Sequence, residues 1–253
     1  MKKILILTIL LALPIWSWAQ SERDITTQSM FLDGFFYSSA ADNNYGADVT
    51  TRVTSSRSTI FALNGTWIDS IGAGQTVDSI VCSLKVAGFG GADDTLRAYP
   101  IWKSDCMVEG AGTISVPTTT GMSYNDWNGP NSEWGAAGCA SAADGSSYNC
   151  TDAGGYDRMT TPCDSLAGVT TYNFYKIRLP GSYCQSMYSA GRAVAFLLTG
   201  NGALANTDFH TREAASASNR PRVTIFYHVA AEPPAAGSNT VLRGSVIQGS
   251  VIR

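Results

Sequence analysis

The sequence predicts an all-β protein: an antiparallel β-sandwich, jelly-roll-like, with one long disulfide-clipped loop excursion. Three observations carry this. Apolar and polar residues alternate in several short runs, with clusters of Gly, Asn, Asp and Ser between them. Lys, Glu and Leu, the main helix formers, are scarce, so no helix longer than a few turns is expected. Of the 253 residues 44% are apolar and 15% charged, enough to fill the core of one large all-β domain or two small ones.

The chain opens with "MKK", then the apolar run "ILILTILLALPIW", then Ser17 and Ala19 at the −3 and −1 positions of a cleavage site. This reads as a secretory signal peptide over residues 1–19. The run is too short for a membrane span, which needs about 20 apolar residues. The mature protein is therefore expected to have no membrane span and to be secreted, extracellular or at the cell surface. Losing Lys2 and Lys3 leaves 15 basic against 20 acidic residues, about −5. That balance argues against nucleic acid as a partner.

Residues 20–229 read as the sandwich. "SMFLDGFFYSS", "ADVTTRVTSS" and "STIFAL" are short β-like runs, the first two joined by the turn-rich "AADNNYGAD". "TVDSIVCSLKVAGF" alternates well enough for a strand with one buried face, and "DTLRAYPIW" puts Arg97 and Tyr99 on one side. Residues 103–171 have no sustained period and are rich in Gly, Ser, Asn, Asp, Trp and Tyr. A connection this long is usually functional or disordered, and its Trp and Cys content argues for an ordered excursion. "TTYNFYKIRL" restores a strand. "AVAFLLTG" is almost continuously apolar, which fits a strand covered on both faces. "RVTIFYHV" is the last strand. Residues 230–253 form a Pro/Gly linker and a tail in which "GSVI" recurs after five residues, a candidate for self-association.

Six cysteines in an exported chain suggest disulfides rather than metal, because no C-x-x-C or clustered Cys/His spacing is present. Among the fifteen connectivities open to them, the expected set is Cys106–Cys139, Cys150–Cys163 and Cys82–Cys184. The first two would clip the excursion.

Catalytic signatures are mostly absent: there is no H-E-x-x-H, no G-x-S-x-G and no Walker loop. His210 and His228 are the two histidines, and His228 reads as an ordinary strand residue. Asp93 and Asp94 are adjacent; Glu109, Asp126 and Glu133 share the excursion with no spacing that joins them, so a two-carboxylate hydrolase is disfavoured. Calcium is the metal that the oxygen-rich turns "AADNNYGAD" and "GGADDT" would take as a structural ion, although acidic turns are ordinarily just solvated. The aromatics in or beside the excursion, Trp102 and Trp127 among them, could stack on sugar rings or form a small core beneath the loop.

In one order the chain carries "LDGFFYSSAADNNYGADVTTRV", "IFALNGTWIDSIGAGQTVDSIVCSLKV", "LRAYPIWKSDCMVEG…GMSYNDWN" and "DFHTREAASASNRPRVTIFYHV". This resembles the DNRLRE domain, a carbohydrate-binding-module-like family also found in disaggregatase-related proteins. The likeness runs over about residues 29–229. It includes the Asn44-Tyr45-Gly46 turn and the closing Arg-Glu…Pro-strand unit. Ala62 stands where the family has Asp, and the excursion is longer and richer in Cys. The resemblance implies a secreted, non-catalytic module for an acidic polysaccharide such as a polyuronate. Its groove would use Arg97, Lys103, His210 and Arg212, with Trp102 or Trp127. The rival expectation is a structural or adhesive subunit of a surface layer, fibre or virus-like particle. Arg212 and Glu213 read first as a fixture that hydrogen-bonds backbone and closes the sandwich before "NRPR" sets the turn.

Overall fold

The computed structural model describes residues 20–89, 95–116, 118–128, 133–143, 156–200 and 206–229. The signal peptide, Asp93, Asp94, Cys150 and the tail lie outside these residues. In chain order the strands are β1 (Ser21–Ile25), β2 (Phe31–Tyr37), β3 (Thr50–Val53), β4 (Arg57–Leu63), β5 (Gln75–Phe89), β6 (Leu96–Pro100), β7 (Asp164–Leu166) and β8 (Phe174–Pro180). A short helix α1 (Gly181–Ser189) precedes β9 (Val194–Gly200), β10 (Thr207–His210) and β11 (Arg222–Val229). Among the described residues no helix is long and apolar enough to cross a membrane.

The strands form two antiparallel sheets. The first runs β1-β11-β5-β10-β3, with β8 also paired to β5; the second runs β2-β4-β9-β6-β7. Alternation decides which side chains meet between them. Ile80, Leu84 and Val86 of β5 and Val223 and Ile225 of β11 point inward from the first sheet. Phe61, Leu96, Ala98, Phe196 and Leu198 meet them from the second. Each of the Val, Ile, Leu and Phe side chains among them contributes roughly 1.5–3 kcal/mol by leaving water.

A second core lies on the outer side of the second sheet. There Phe36, Ile60, Ala62, Ala195 and Leu197 are covered by Ile101 and by Met107, Met122, Trp134 and Cys139 of the excursion. This explains the continuous apolar run in β9: Val194, Phe196 and Leu198 face one core, Ala195 and Leu197 the other. The excursion is ordered where described because polar side chains stitch it down. Asn44 Nδ2 donates to the Met122 carbonyl at 2.7 Å, and Asn44 Oδ1 accepts from the amides of Gly46 and Gly112. Tyr45 stacks on Phe35 with ring centroids 4.4 Å apart. A side chain at Gly46 would meet Glu109 Cγ and the Gly110 carbonyl at 2.7 Å, so the Asn-Tyr-Gly turn needs its glycine for close approach. The oxygens of Asn44, Asp42 and Asp48 accept hydrogen bonds from the excursion, through Gly112, Asn125 and Ile114.

The expected disulfides do not form. Cys82, Cys139, Cys163 and Cys184 are free thiols, which overturns Cys106–Cys139, Cys150–Cys163 and Cys82–Cys184. Cys106 is disulfide-bonded, but not to Cys139. Cys82 and Cys184 serve as small apolar side chains in the main core and Cys139 in the second. Burial pushes all three thiols well up, and Cys163, less enclosed, up to about 12.

Candidate functional site

The six residues expected to share a groove are dispersed. Trp102 is buried against Tyr183, ring centroids 5.4 Å apart, and its Nε1 donates to the Ala143 carbonyl at 3.1 Å. Lys103 is wholly enclosed, with Nζ 3.3 Å from Asp157 Oδ1. Side chains placed so cannot stack on or pair with a polysaccharide. Trp127 packs partly buried against the second core. Arg97, alternating with the core residues Leu96 and Ala98, lies on the outer side of the second sheet. His210 follows the inward Phe209 and lies on the outer side of the first sheet, near Lys85; burial and then the Lys85 charge hold its pKa down.

Arg212 belongs to a buried charge cluster. Asp33, in register opposite the core residue Phe61, sits on the inner face of β2 and is fully enclosed. Its N–H donates to Glu109 Oε1 at 2.8 Å, and its Oδ2 accepts the Arg212 N–H at 2.9 Å. The Arg212 guanidinium pairs with Glu109 Oε2, donates to Glu213 Oε1 at 2.6 Å and donates to the Phe31 carbonyl at 2.7 Å. Arg220 Nε holds the Ala214 carbonyl at 2.8 Å. The connection from β10 to β11 is thus tied to β2, and the cluster works as a fixture. Burial first, then Glu213 and Glu109, raises the Asp33 carboxyl well above its usual range. Burial raises Glu109 to about 7 against the pull of Asp33 N–H and Arg212.

The surface best suited to a ligand is the outer face of the first sheet. On β8, Phe174, Lys176 and Arg178 alternate with the buried Ile177 and Leu179. In register, Lys85 faces Phe174, Ser83 faces Lys176, and Val81 faces Arg178; on the other side of β5, Arg222 faces Ser83 and Phe226 faces Ser79. Lys176 and Arg178 are therefore about 7 Å apart along β8, and Lys176 and Arg222 lie two strand spacings, about 10 Å, apart across the sheet. Three of these cations approach aromatic rings: Arg222 and Lys85 lie 5.2 and 5.7 Å from the Phe174 centroid, and Arg178 lies 5.5 Å from that of Phe226. Among the described residues no ion pair engages Lys85, Lys176, Arg178 or Arg222. Glu22 and Asp24 mark the far edge of the face on β1. A cleft of about 580 Å³ continues from it, lined by Ser83, Arg220, Arg222, Thr224, Asp24 and Gln28.

A second cleft, of about 630 Å³, lies at the excursion and is acidic, lined by Asp42, Asp126 and Glu133 with Asn125 and Trp134. Asp126 and Glu133 are bridge partners there, an association that sequence spacing did not reveal. Its charge is wrong for a polyanion.

No family model matches the chain, and no characterised protein matches it in sequence. The likeness to the DNRLRE domain therefore rests on the motifs quoted above.

Proposed function

We propose that the protein is a secreted, non-catalytic module that binds an acidic polysaccharide of the polyuronate class on the outer face of its first sheet. The observation that carries this reading is the set of four cations beside Phe174 and Phe226, Lys85, Lys176, Arg178 and Arg222, which among the described residues form no ion pair with a carboxylate. A polyuronate has a carboxylate on each sugar, so a chain laid on this face meets a cation repeatedly, and Arg offers a fork that fits a carboxylate. The exposed Phe174 supplies an apolar ring face for the sugar's C–H bonds. His210 flanks the face, and Lys85 Nζ is steadied by Asn219 Oδ1 at 2.8 Å. The motif resemblance supports the same class of ligand.

The test is calorimetric titration of residues 20–253 with oligouronates and with a neutral glucan, at low and high salt. Lys176→Glu with Arg178→Glu, both exposed positions, should weaken oligouronate binding at least about tenfold, because two attractions become repulsions of about 1 kcal/mol each. Raising the salt should weaken it as well, whereas Arg97→Ala should leave it unchanged. Equal binding of the neutral glucan, or an unaffected double variant, rules the face out. Absence of binding to every glycan transfers the weight to a structural subunit.

A further inference from the structure

The cluster at the start of β2 leaves two buried oxygens without partners. Asp33 Oδ2, both oxygens of Glu109 and Oε1 of Glu213 all have donors from Asp33 N–H or Arg212. Asp33 Oδ1 and Glu213 Oε2 are buried and have none. Asp33, Glu109 and Glu213 each offer a carboxylate oxygen, and these three lie within 4.8 Å of one another. Oxygens bound to one calcium ion at 2.3–2.6 Å are necessarily separated by no more than about 5 Å. Fully ionised, three carboxylates against one guanidinium leave two negative charges in a place largely closed to water, and such a charge is costly unless compensated.

We propose that Asp33, Glu109 and Glu213 form a divalent-cation site that takes calcium. One such ion brings the cluster to neutrality and gives the two orphaned oxygens a partner. Calcium is preferred over magnesium because it accepts irregular carboxylate geometry, whereas magnesium demands a near-ideal octahedron and keeps most of its water. The Glu213 and Arg212 side chains are a quarter exposed, which leaves a way in for the ion and room for water to complete its shell. Arg212 stays in place on the other oxygens and holds the carboxylates in their orientation. Since the ligands come from β2, the excursion and the segment after β10, the bound ion ties three distant parts of the chain together. The site is separate from the basic face and does not depend on what that face binds.

The experiment uses residues 20–253 stripped with a chelator and titrated with calcium chloride by calorimetry, with magnesium chloride as control. Terbium luminescence sensitised by the protein's tryptophans reports the same site. The expected result is saturable binding of one calcium ion with weaker response to magnesium. At calcium about a hundredfold above its dissociation constant, the melting temperature should rise by about 5–10 °C. Glu213→Gln keeps an oxygen to accept from Arg212 and should fold. It should lose calcium affinity at least about tenfold while melting as the parent does in chelator. Asp42→Asn, in the acidic cleft, should bind as the parent does. Lack of saturable binding by the parent overturns the proposal. So does undiminished affinity in Glu213→Gln, or a loss of binding in Asp42→Asn alone.

Discussion

Replacing Lys103 by Met separates two accounts of that residue. As a ligand contact it would matter to binding and little to stability; enclosed as it is, the reverse holds. Its Nζ lies 3.3 Å from Asp157 Oδ1, with neither side chain exposed. Asp157 also accepts the amides of Gly135, Ala136 and Ser141 at 2.8, 3.2 and 3.2 Å, and its carbonyl accepts the Trp102 N–H at 2.7 Å. The pair is thus the node on which the excursion turns back under itself. Removing one partner of a buried pair costs about 3–5 kcal/mol. Met nearly matches Lys in volume, so no cavity is added, and the three amides still solvate Asp157, which puts the cost near the lower end, about 3 kcal/mol. For a domain of this size about 2–4 °C is lost per kcal/mol, so melting should fall by about 6–12 °C. Urea denaturation gives the free energy directly, and oligouronate titration well below melting should match the parent. Stability within about 0.5 kcal/mol of the parent, together with lost binding, would refute the burial argument.

Two further outcomes follow from the core and the excursion. Without reductant, Cys82, Cys139, Cys163 and Cys184 should resist a thiol reagent in the native protein and label in guanidinium, as read by peptide mapping; any of the four blocked until reduction contradicts their assignment as free thiols. Asn44→Ala removes hydrogen bonds to Gly46, Gly112 and Met122 and should cost about 3 kcal/mol. It should also expose the excursion to proteolysis near 110–122, and an unchanged cleavage pattern would mean that the Asn-Tyr-Gly turn does not hold it.

Periodicity made much of the fold legible, because the side-chain period of a half-buried strand is written in the residues themselves. The run in β9 implied two covered faces, and both covers exist. β1 escaped notice for the opposite reason: "SERDI" is exposed along most of its length and is a strand by virtue of pairing with β11, not by pattern. Trp102 and Lys103, at the edge of the loop-rich region, were candidates for a groove, with a small core beneath the loop as the alternative for the Trp. A loop that folds back over a sheet has an inside, and nothing local marks it. The expected cysteine pairings failed similarly, since an even cysteine count says nothing about which thiols are simply filling apolar space. Asp33, Glu109 and Glu213 come from parts of the chain with no shared spacing, so only the tertiary fold brings them together.

The basic face was half legible. Lys176 and Arg178 share one parity in "NFYKIRL", as do Arg222, Thr224 and Phe226 in "RVTIFYHV", and Lys85 alternates with Leu84 and Val86. What the sequence lacks is the register that lays these strands side by side and brings Lys85 and Arg222 to the Phe174 ring. The two outer faces of the sandwich then differ in kind. The second sheet turns Phe36, Ile60 and Leu197 outward, and the excursion covers them. The first sheet turns cations outward and has no comparable cover among the described residues. The chain spends its longest loop on one face and sets charged side chains on the other, and it is this difference in cover and in sign on which the proposal of an anionic ligand rests.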